Sequence, residues 1–170
     1  MKHLSPAGRS KLEIRVTEID HTRVAVASRI HSIHAAAYAL EAILLGIAAE
    51  EFPPLRRTVA DLRSDRACYF VAVLTDEIVA AASVERAVGD RCASIASFVV
   101  APEVQRQGVG ARLLSGIVAR HEPADLAVET AVGNLPALGL YTKFDFVETQ
   151  RRLVSSLQLE LVELRRFGGR

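Results

Sequence analysis

The run Val99-Val100-Ala101-Pro102-Glu103-Val104-Gln105-Arg106-Gln107-Gly108-Val109-Gly110-Ala111-Arg112-Leu113-Leu114 constrains this chain more than any other segment. An apolar, β-prone stretch meets a tight basic turn with two glycines, and an amphipathic helix starts directly after it. Strand, turn and helix in that order belong to folds that lay helices on a sheet. The junction also gathers backbone N–H groups that have no partner inside the helix, together with an arginine. Such a space suits phosphate oxygens.

The rest of the chain extends this pattern. Leu12, Ile14 and Val16 alternate with Glu13, Arg15 and Thr17, which predicts a half-buried first strand. Asp20 is positioned to cap a helix. From Val24 to Ala49 the chain is rich in Ala, Leu and Ile, which predicts one long or two abutting helices ending before Pro53-Pro54. Thr58-Val59-Ala60-Asp61 has the form of a capping box and predicts a short helix. The period then changes. Cys68 to Leu74 and Ile78 to Glu85 flank the turn Thr75-Asp76-Glu77 as a hairpin. Val88-Gly89-Asp90 turns the chain again into a strand over Ala93 to Val100.

Beyond the glycine turn, Val109, Leu113, Leu114, Ile117 and Val118 recur at helical spacing up to Pro123. Leu126 to Thr130 predicts a strand and Asn134 to Lys143 a short helix. Phe146 to Val154 and Leu157 to Leu164 predict a closing antiparallel pair. The expected fold is therefore α/β, with a single mixed and mostly antiparallel twisted sheet of six to seven strands flanked by helices. Residues 1–10 read as a flexible leader and residues 11–166 as one domain.

Composition enters by exclusion. Twenty-one Lys and Arg against twenty Asp and Glu leave a charge of +1, too small a field to attract nucleic acid or an anionic membrane. Arg151-Arg152 and Arg165-Arg166 are too scattered to make a nucleic-acid stripe. The greasy stretch from Ala35 to Ala49 is interrupted by Glu41 and is too short to span a bilayer. Cys68 and Cys92 are isolated, so a disulfide framework is not expected and a cytoplasmic location is. His31 and His34 share a helix face without a third ligand nearby, so no metal is expected. His121 sits where an imidazole favours a helix end. No serine elbow is present and neither cysteine has a nearby histidine, which disfavours covalent catalysis.

Within the turn, Gly108 and Gly110 let a ligand approach the backbone without a Cβ in the way. The amides from Gln107 to Ala111 would be the first donors of the helix, and Arg106 or Arg112 would add charge-assisted bonds. Two phosphate motifs fail here. Arg112 and Leu113 complete neither a Gly-Lys-Ser/Thr ending nor a Gly-x-Gly-x-x-Gly pattern, which disfavours nucleotide hydrolysis and nicotinamide chemistry.

Val100-Ala101-Pro102 followed by Gln105-Arg106-Gln107-Gly108-Val109-Gly110 resembles the hallmark of the acetyl-CoA-dependent N-acetyltransferases of the GNAT superfamily, Gln/Arg-x-x-Gly-x-Gly/Ala after a strand. Asn134-Leu135-Pro136-Ala137-Leu138-Gly139-Leu140-Tyr141-Thr142-Lys143-Phe144-Asp145-Phe146 resembles the second pattern of that family. The resemblance covers residues 12 to 154. It departs at Asp145, where the family usually has glycine, and Asp tolerates unusual turn geometry better than most residues.

The resemblance implies acetyl-CoA as co-substrate. It assigns Phe98, Val99 and Val100 to the pantetheine arm, and Gln105, Arg106, Gln107, Gly108, Val109, Gly110 and Ala111 to the pyrophosphate. Asn134 and Ala137 would join the arm, with Tyr141 beside the thioester sulfur. The implied reaction moves an acetyl group directly to a primary amine of a small molecule or protein. The alternative is a catalytically silent coenzyme A-binding regulatory module.

Acetyl transfer needs a neutral amine, a donor for the oxyanion and a proton for the thiolate. Tyr141 suits the last role, and the backbone N–H of Val99 or Val100 the second. Glu85 is the candidate base. Ser94 or Ser97 would serve instead by orienting a water, and Glu50 and Glu51 are placed to attract a cationic amine. The acceptor pocket is expected from the stretch Ile33 to Thr58 and the last hairpin. Leu157, Leu159 and Leu161 alternate along that hairpin and Leu164 follows, so an exposed edge or apolar face there predicts a homodimer.

Overall fold

The computed structural model describes residues 13–86 and 91–169. The leader and the Val88-Gly89-Asp90 turn lie outside the described residues. Strand β1 (Ile14–Ile19) leads to helix α1 (Val24–Leu45), a 3₁₀ turn (Pro53–Arg56) and helix α2 (Val59–Ser64). Strands β2 (Cys68–Leu74), β3 (Glu77–Arg86) and β4 (Cys92–Val100) follow, then helix α3 (Val109–His121). Strand β5 (Asp125–Ala131), helix α4 (Leu135–Thr142), β6 (Val147–Val154) and β7 (Leu159–Arg166) complete the chain. The seven strands form one sheet in the order β1-β2-β3-β4-β5-β7-β6. Among the described residues, only β4 and β5 pair in parallel.

Local chemistry explains most boundaries. Thr58 accepts from the Asp61 N–H while the Asp61 carboxylate accepts from the Thr58 N–H, so the capping box is closed. Thr75 and Asp76 both take positive φ, 49° and 64°, and make a two-residue turn between the paired Leu74 and Glu77. Glu77 therefore already belongs to β3. Asp20 does not cap α1. It accepts from the N–H and hydroxyl of Thr22 in a turn before the helix, and Arg23 occupies the N-cap without a side-chain bond. Helix α1 is single and stops well short of Pro53, because Gly46 takes a left-handed φ of 68° and returns its N–H to the last turn.

The sheet has a core on each face. On one, α3 buries Val109, Leu113, Leu114 and Ile117 against β1 to β5, each worth roughly 1.5–3 kcal/mol. Gly116 lets the helix sit close: a Cβ there would lie 2.6 Å from Val16 Cγ1. On the other face, the first half of α1 buries Ala27, Ile30 and Ile33 with Leu62 of α2 against Tyr69, Val71, Ala81 and Val99. The second half of α1 leaves Leu40, Ile43 and Leu44 exposed.

Two features of the sheet shape the site. The β3–β4 register slips between Ser83 and Val84, which pair with Ser97 and Ile95, so Ala96 is an extra residue on β4. The slip reverses side-chain parity: Ala93 and Ile95 face the α3 core, whereas Val99 faces α1. Pairing of β4 with β5 then ends at Ile95 and Val128, and the two strands part beyond it.

The last hairpin differs from expectation. β7 lies inside the sheet between β5 and β6, so the edge strand is β6. Leu157 belongs to the turn before β7, and Leu159 and Leu161 face a cleft, while Leu164 turns to the core. The even–odd change between Leu161 and Leu164 sends them to opposite faces.

Candidate functional site

Two clefts open where β4 and β5 part. The first, of about 820 Å³, runs along the end of β4, the glycine turn and α4, with α1 as its outer wall. Phe98, Val99, Val100, Gln105, Arg106, Gly108, Gly110, Ala111, Asn134, Ala137 and Tyr141 all line it, and Lys143 adds a second cation. Gln107 and Val109 do not line it. Gln107 reaches back to donate to the Glu103 carbonyl at 3.1 Å, and Val109 is buried in the core. Arg112 is exposed outside it.

The glycine turn is built around its backbone. Gln105 donates its side-chain amide to the Val100 carbonyl at 3.0 Å, tying the turn to the end of β4. Arg106 takes φ 63° and Gly108 takes φ 84°, which swings the chain into α3 with Gly108 as the N-cap. The first bond of the helix runs from the Arg112 N–H to the Gly108 carbonyl at 3.0 Å. The N–H groups of Val109, Gly110 and Ala111 consequently precede any helical acceptor. Around an imagined Cβ at Gly108 nothing lies within 4 Å, so the space before these donors is open. Open space, first-turn amides and the cations Arg106 and Lys143 together fit a phosphate group.

The second cleft, of about 400 Å³, occupies the gap between the parted strands. Ala96 and Ser97 of β4 face Glu129 and Thr130 of β5 across it, with Tyr38, Phe52, Pro53 and Pro54 on one side and Leu157, Leu159 and Leu161 on the other. Glu41, Phe98, Asn134, Ala137 and Tyr141 line both clefts. Those five residues mark the place where the two spaces meet.

Tyr141 is buried, 3% exposed, with its ring tilted against Phe146 at 5.5 Å and edge-on to Phe98 at 6.1 Å. Burial, and then the nearness of Tyr38 and Glu41, pushes its hydroxyl well above the usual phenol range. The group keeps its proton at neutral pH and is a donor. Asn134 caps α4 by accepting from the Ala137 N–H at 3.2 Å, and its amide lies on the side of Glu41. Burial pushes the Glu41 carboxyl up, and the Asn134 side chain opposes the shift. Asp145 takes φ 63°, the left-handed geometry in which a glycine is ordinarily favoured, so the turn from α4 to Phe146 is preserved.

Glu85 does not come to this meeting point. It is exposed at the end of β3, opposite Ser94, and lines neither cleft. Ser94 is likewise exposed on the strand, outside both clefts. Ser97 does line the second cleft, and its hydroxyl lies 2.7 Å from that of the buried Ser83. Glu50 and Glu51 are exposed, and the cleft wall is made instead by Phe52, Pro53 and Pro54 just after them.

Glu41 has no role in the sequence reading beyond breaking an apolar run. A signal was present, because it is the only charged residue from Ala35 to Ala49. Among the described residues, no group of three or more His, Cys, Asp or Glu side chains is arranged to hold a metal ion. Among them, too, no helix is long and apolar enough to cross a membrane.

Comparison with known proteins gives the family and the fold. The model of the acetyltransferase (GNAT) family matches residues 29–146. The UPF0157 protein YqkA of Bacillus subtilis (strain 168) is 26% identical over 133 residues, 78% of this chain. The chain spans only 38% of the length of that curated relative. The ribosomal-protein-S18-alanine N-acetyltransferase of Escherichia coli superposes with a TM-score of 0.70 at 18% identity, over 90% of this chain and 92% of that one. YjaB of Escherichia coli, in its apo form, gives 0.68 at 21% identity, over 93% and 100%. A spermidine N-acetyltransferase chimera from Vibrio cholerae and hSSAT gives 0.67 at 14% identity, over 91% and 95%. Likeness at these identities concerns the fold.

Proposed function

Because the chain belongs to the acetyltransferase (GNAT) family, we propose that it moves an acetyl group from acetyl-CoA directly to a primary amine. One observation carries this reading: a cleft suited to a phosphate-bearing ligand meets a second cleft at the buried Tyr141. On this reading the amides after Gly108, with Arg106 and Lys143, hold the pyrophosphate. The backbone of Phe98, Val99 and Val100, freed where β4 leaves β5, pairs with the pantetheine arm. Ala137 and Asn134 flank that arm from α4. The thioester supplies an activated acetyl carbonyl to the space where the clefts meet.

Tyr141 then supplies the proton that the departing sulfur needs, since its raised hydroxyl is fully protonated at neutral pH. The N–H of Val100, which points away from β3, polarises the carbonyl, a role that requires no side chain. Ser97 remains on the cleft wall as a hydroxyl able to orient a water. Residues 11–166 act as one domain, working in the cytoplasm. A homodimer, in this reading, pairs through the β6 edge, where Val147 and Leu153 are exposed. Light scattering at the mass of one chain would remove that part of the proposal.

The silent-module alternative draws on Asp145 and on the lack of a glutamate on β4. Asp145 keeps the turn geometry, and Glu41 brings a carboxylate to the meeting point from α1. Both features favour an enzyme. The experiment is a set of amines, amino acids, aminoglycosides and peptides incubated with acetyl-CoA, read by thiol release, beside a calorimetric titration with coenzyme A. Coenzyme A binding without thiol release from any acceptor would return the alternative. Absence of coenzyme A binding would defeat both readings.

A further inference from the structure

We infer that the second cleft takes a primary amine carrying a single positive charge on a compact apolar body, with its ammonium held by Glu41. The inference rests on the acetyl-transfer reading, which fixes where the reacting carbonyl lies. Glu41 stands on the half of α1 that leaves the sheet, beside Tyr141 and on both clefts. Among the described residues no Lys, Arg or His lies within ion-pair distance of it. The side chain that acts on it from nearby is the neutral Asn134 amide, which opposes the effect of burial. A half-buried carboxylate with a neutral donor and no cation is incompletely compensated, and a bound ammonium completes it.

The remaining walls set what the ammonium is attached to. Tyr38, Phe52 and Pro53 face Leu157, Leu159 and Leu161 across a volume of about 400 Å³. The other carboxylate, Glu129, is engaged by Arg152 through two bonds of 2.5 and 2.7 Å. One uncompensated acid, in a cleft whose other charges, Glu129 and Arg152, pair with each other, fits a monoamine. A polyamine would bring further charges against Leu157, Leu159 and Leu161, where nothing pays for their desolvation.

The same carboxylate accounts for the proton. Glu41 takes one proton from the ammonium, and burial, which raises its affinity for protons, favours that transfer. The freed nitrogen lone pair forms the N–C bond at the acetyl carbonyl, the C–S bond breaks, and its electron pair leaves on sulfur. Sulfur takes the Tyr141 proton, the surplus proton on nitrogen restores the Tyr141 hydroxyl, and Glu41 returns its proton to water. Ammonium and thioester thus give amide, thiol and one proton in solution.

The test uses the full chain with n-hexylamine, methylamine, spermidine and an alanine-terminated peptide. Binding is measured by calorimetry on the coenzyme A-loaded protein, and turnover by thiol release with acetyl-CoA. Hexylamine should exceed methylamine in kcat/KM by about tenfold or more, because several methylenes meet apolar walls. Glu41→Gln keeps an acceptor for Asn134 and should weaken hexylamine binding about 10- to 100-fold, the worth of a charged hydrogen bond. Leu157→Ala, in the turn before β7, should narrow the hexylamine-to-methylamine ratio while coenzyme A affinity stays unchanged.

Preference for spermidine or the peptide, or unchanged hexylamine affinity in Glu41→Gln, overturns the inference and leaves the transfer reading standing. Glu41-dependent hexylamine binding with no thiol released from any amine does the reverse. In that case the ligand class stands and the transfer reading falls.

Discussion

Replacing Gly108 by alanine separates the two roles of the turn. Gly108 holds φ 84° and ψ 1°, a left-handed geometry that costs an L-residue about 1–2 kcal/mol. Beyond its chain neighbours nothing stands within 4 Å of the new methyl, so that conformational cost dominates the cost to the fold. In a chain of this size it lowers Tm by roughly 2–8 °C. The methyl also enters the open space before the first-turn amides of α3. Displacing one charge-assisted hydrogen bond there costs about 1.5–3 kcal/mol, or about 10- to 100-fold in coenzyme A affinity. Calorimetry with coenzyme A measures the second effect, and a thermal melt the first. Pantetheine, which has no pyrophosphate, should bind wild type and variant alike. If coenzyme A affinity changes by less than about threefold while Tm falls as expected, the phosphate lies elsewhere and the reasoning fails. An equal loss for pantetheine would refute it as well, by moving the defect from the phosphate to the arm.

Further predictions follow from the packing and the buried groups. Tyr141→Phe keeps a ring between Phe98 and Phe146, so coenzyme A affinity and Tm should hold while kcat falls about 10²- to 10⁴-fold; an unchanged kcat would remove Tyr141 from the chemistry. Gly116→Ala pushes a Cβ to 2.6 Å from Val16 Cγ1 and should cost about 1–3 kcal/mol in urea unfolding, whereas added stability would mean that α3 moves freely over β1. His34 is 3% exposed with both ring nitrogens unbonded, and burial first, then Arg57 and His31, lowers its pKa from 6.5 to about 4. The folded state therefore binds fewer protons than the unfolded one. Its contribution is complete above pH 6.5 and is lost as the pH falls through about 4, a swing of about 3 kcal/mol. His34→Leu should flatten that part of the urea stability profile and cost little at pH 7; an unchanged acid limb would place the titration elsewhere.

The parts of the fold that local chemistry determines were legible in the chain. Thr58 and Asp61 close their capping box without help from distant residues, and Gly108 turns where the pattern requires it. Residues of both motifs line one cleft, those of the first because its strand, turn and helix are contiguous. Asp20 misled, since its side chain is satisfied by Thr22 before it can reach the helix. The place of β7 was not legible either. Its apolar alternation fits an interior strand and an edge strand equally, and pairing with β5 is a long-range choice. Which glutamate reaches the clefts is the clearest case. Glu85 and Glu41 are both single acids near apolar residues, but Glu85 ends exposed on β3, whereas α1 carries Glu41 to the two clefts that Tyr141 also lines. Neither placement is written in the neighbourhood of the glutamate concerned.

The parting of β4 from β5 has an evolutionary consequence. Strands held together pair amide with carbonyl whatever their side chains, and a ligand arm received in that gap would be recognised in the same impersonal way. Val99 and Val100 are then free to drift among types that stay extended and fill the core, without loss of such an arm. The walls around Glu41 carry no such tolerance, because there identity resides in side chains. If the second cleft takes the acceptor as proposed, selection for a new acceptor would rewrite Phe52, Leu157 or Leu161 and leave the first cleft untouched. A fold arranged in this way diversifies through one half of its site while the other half remains fixed.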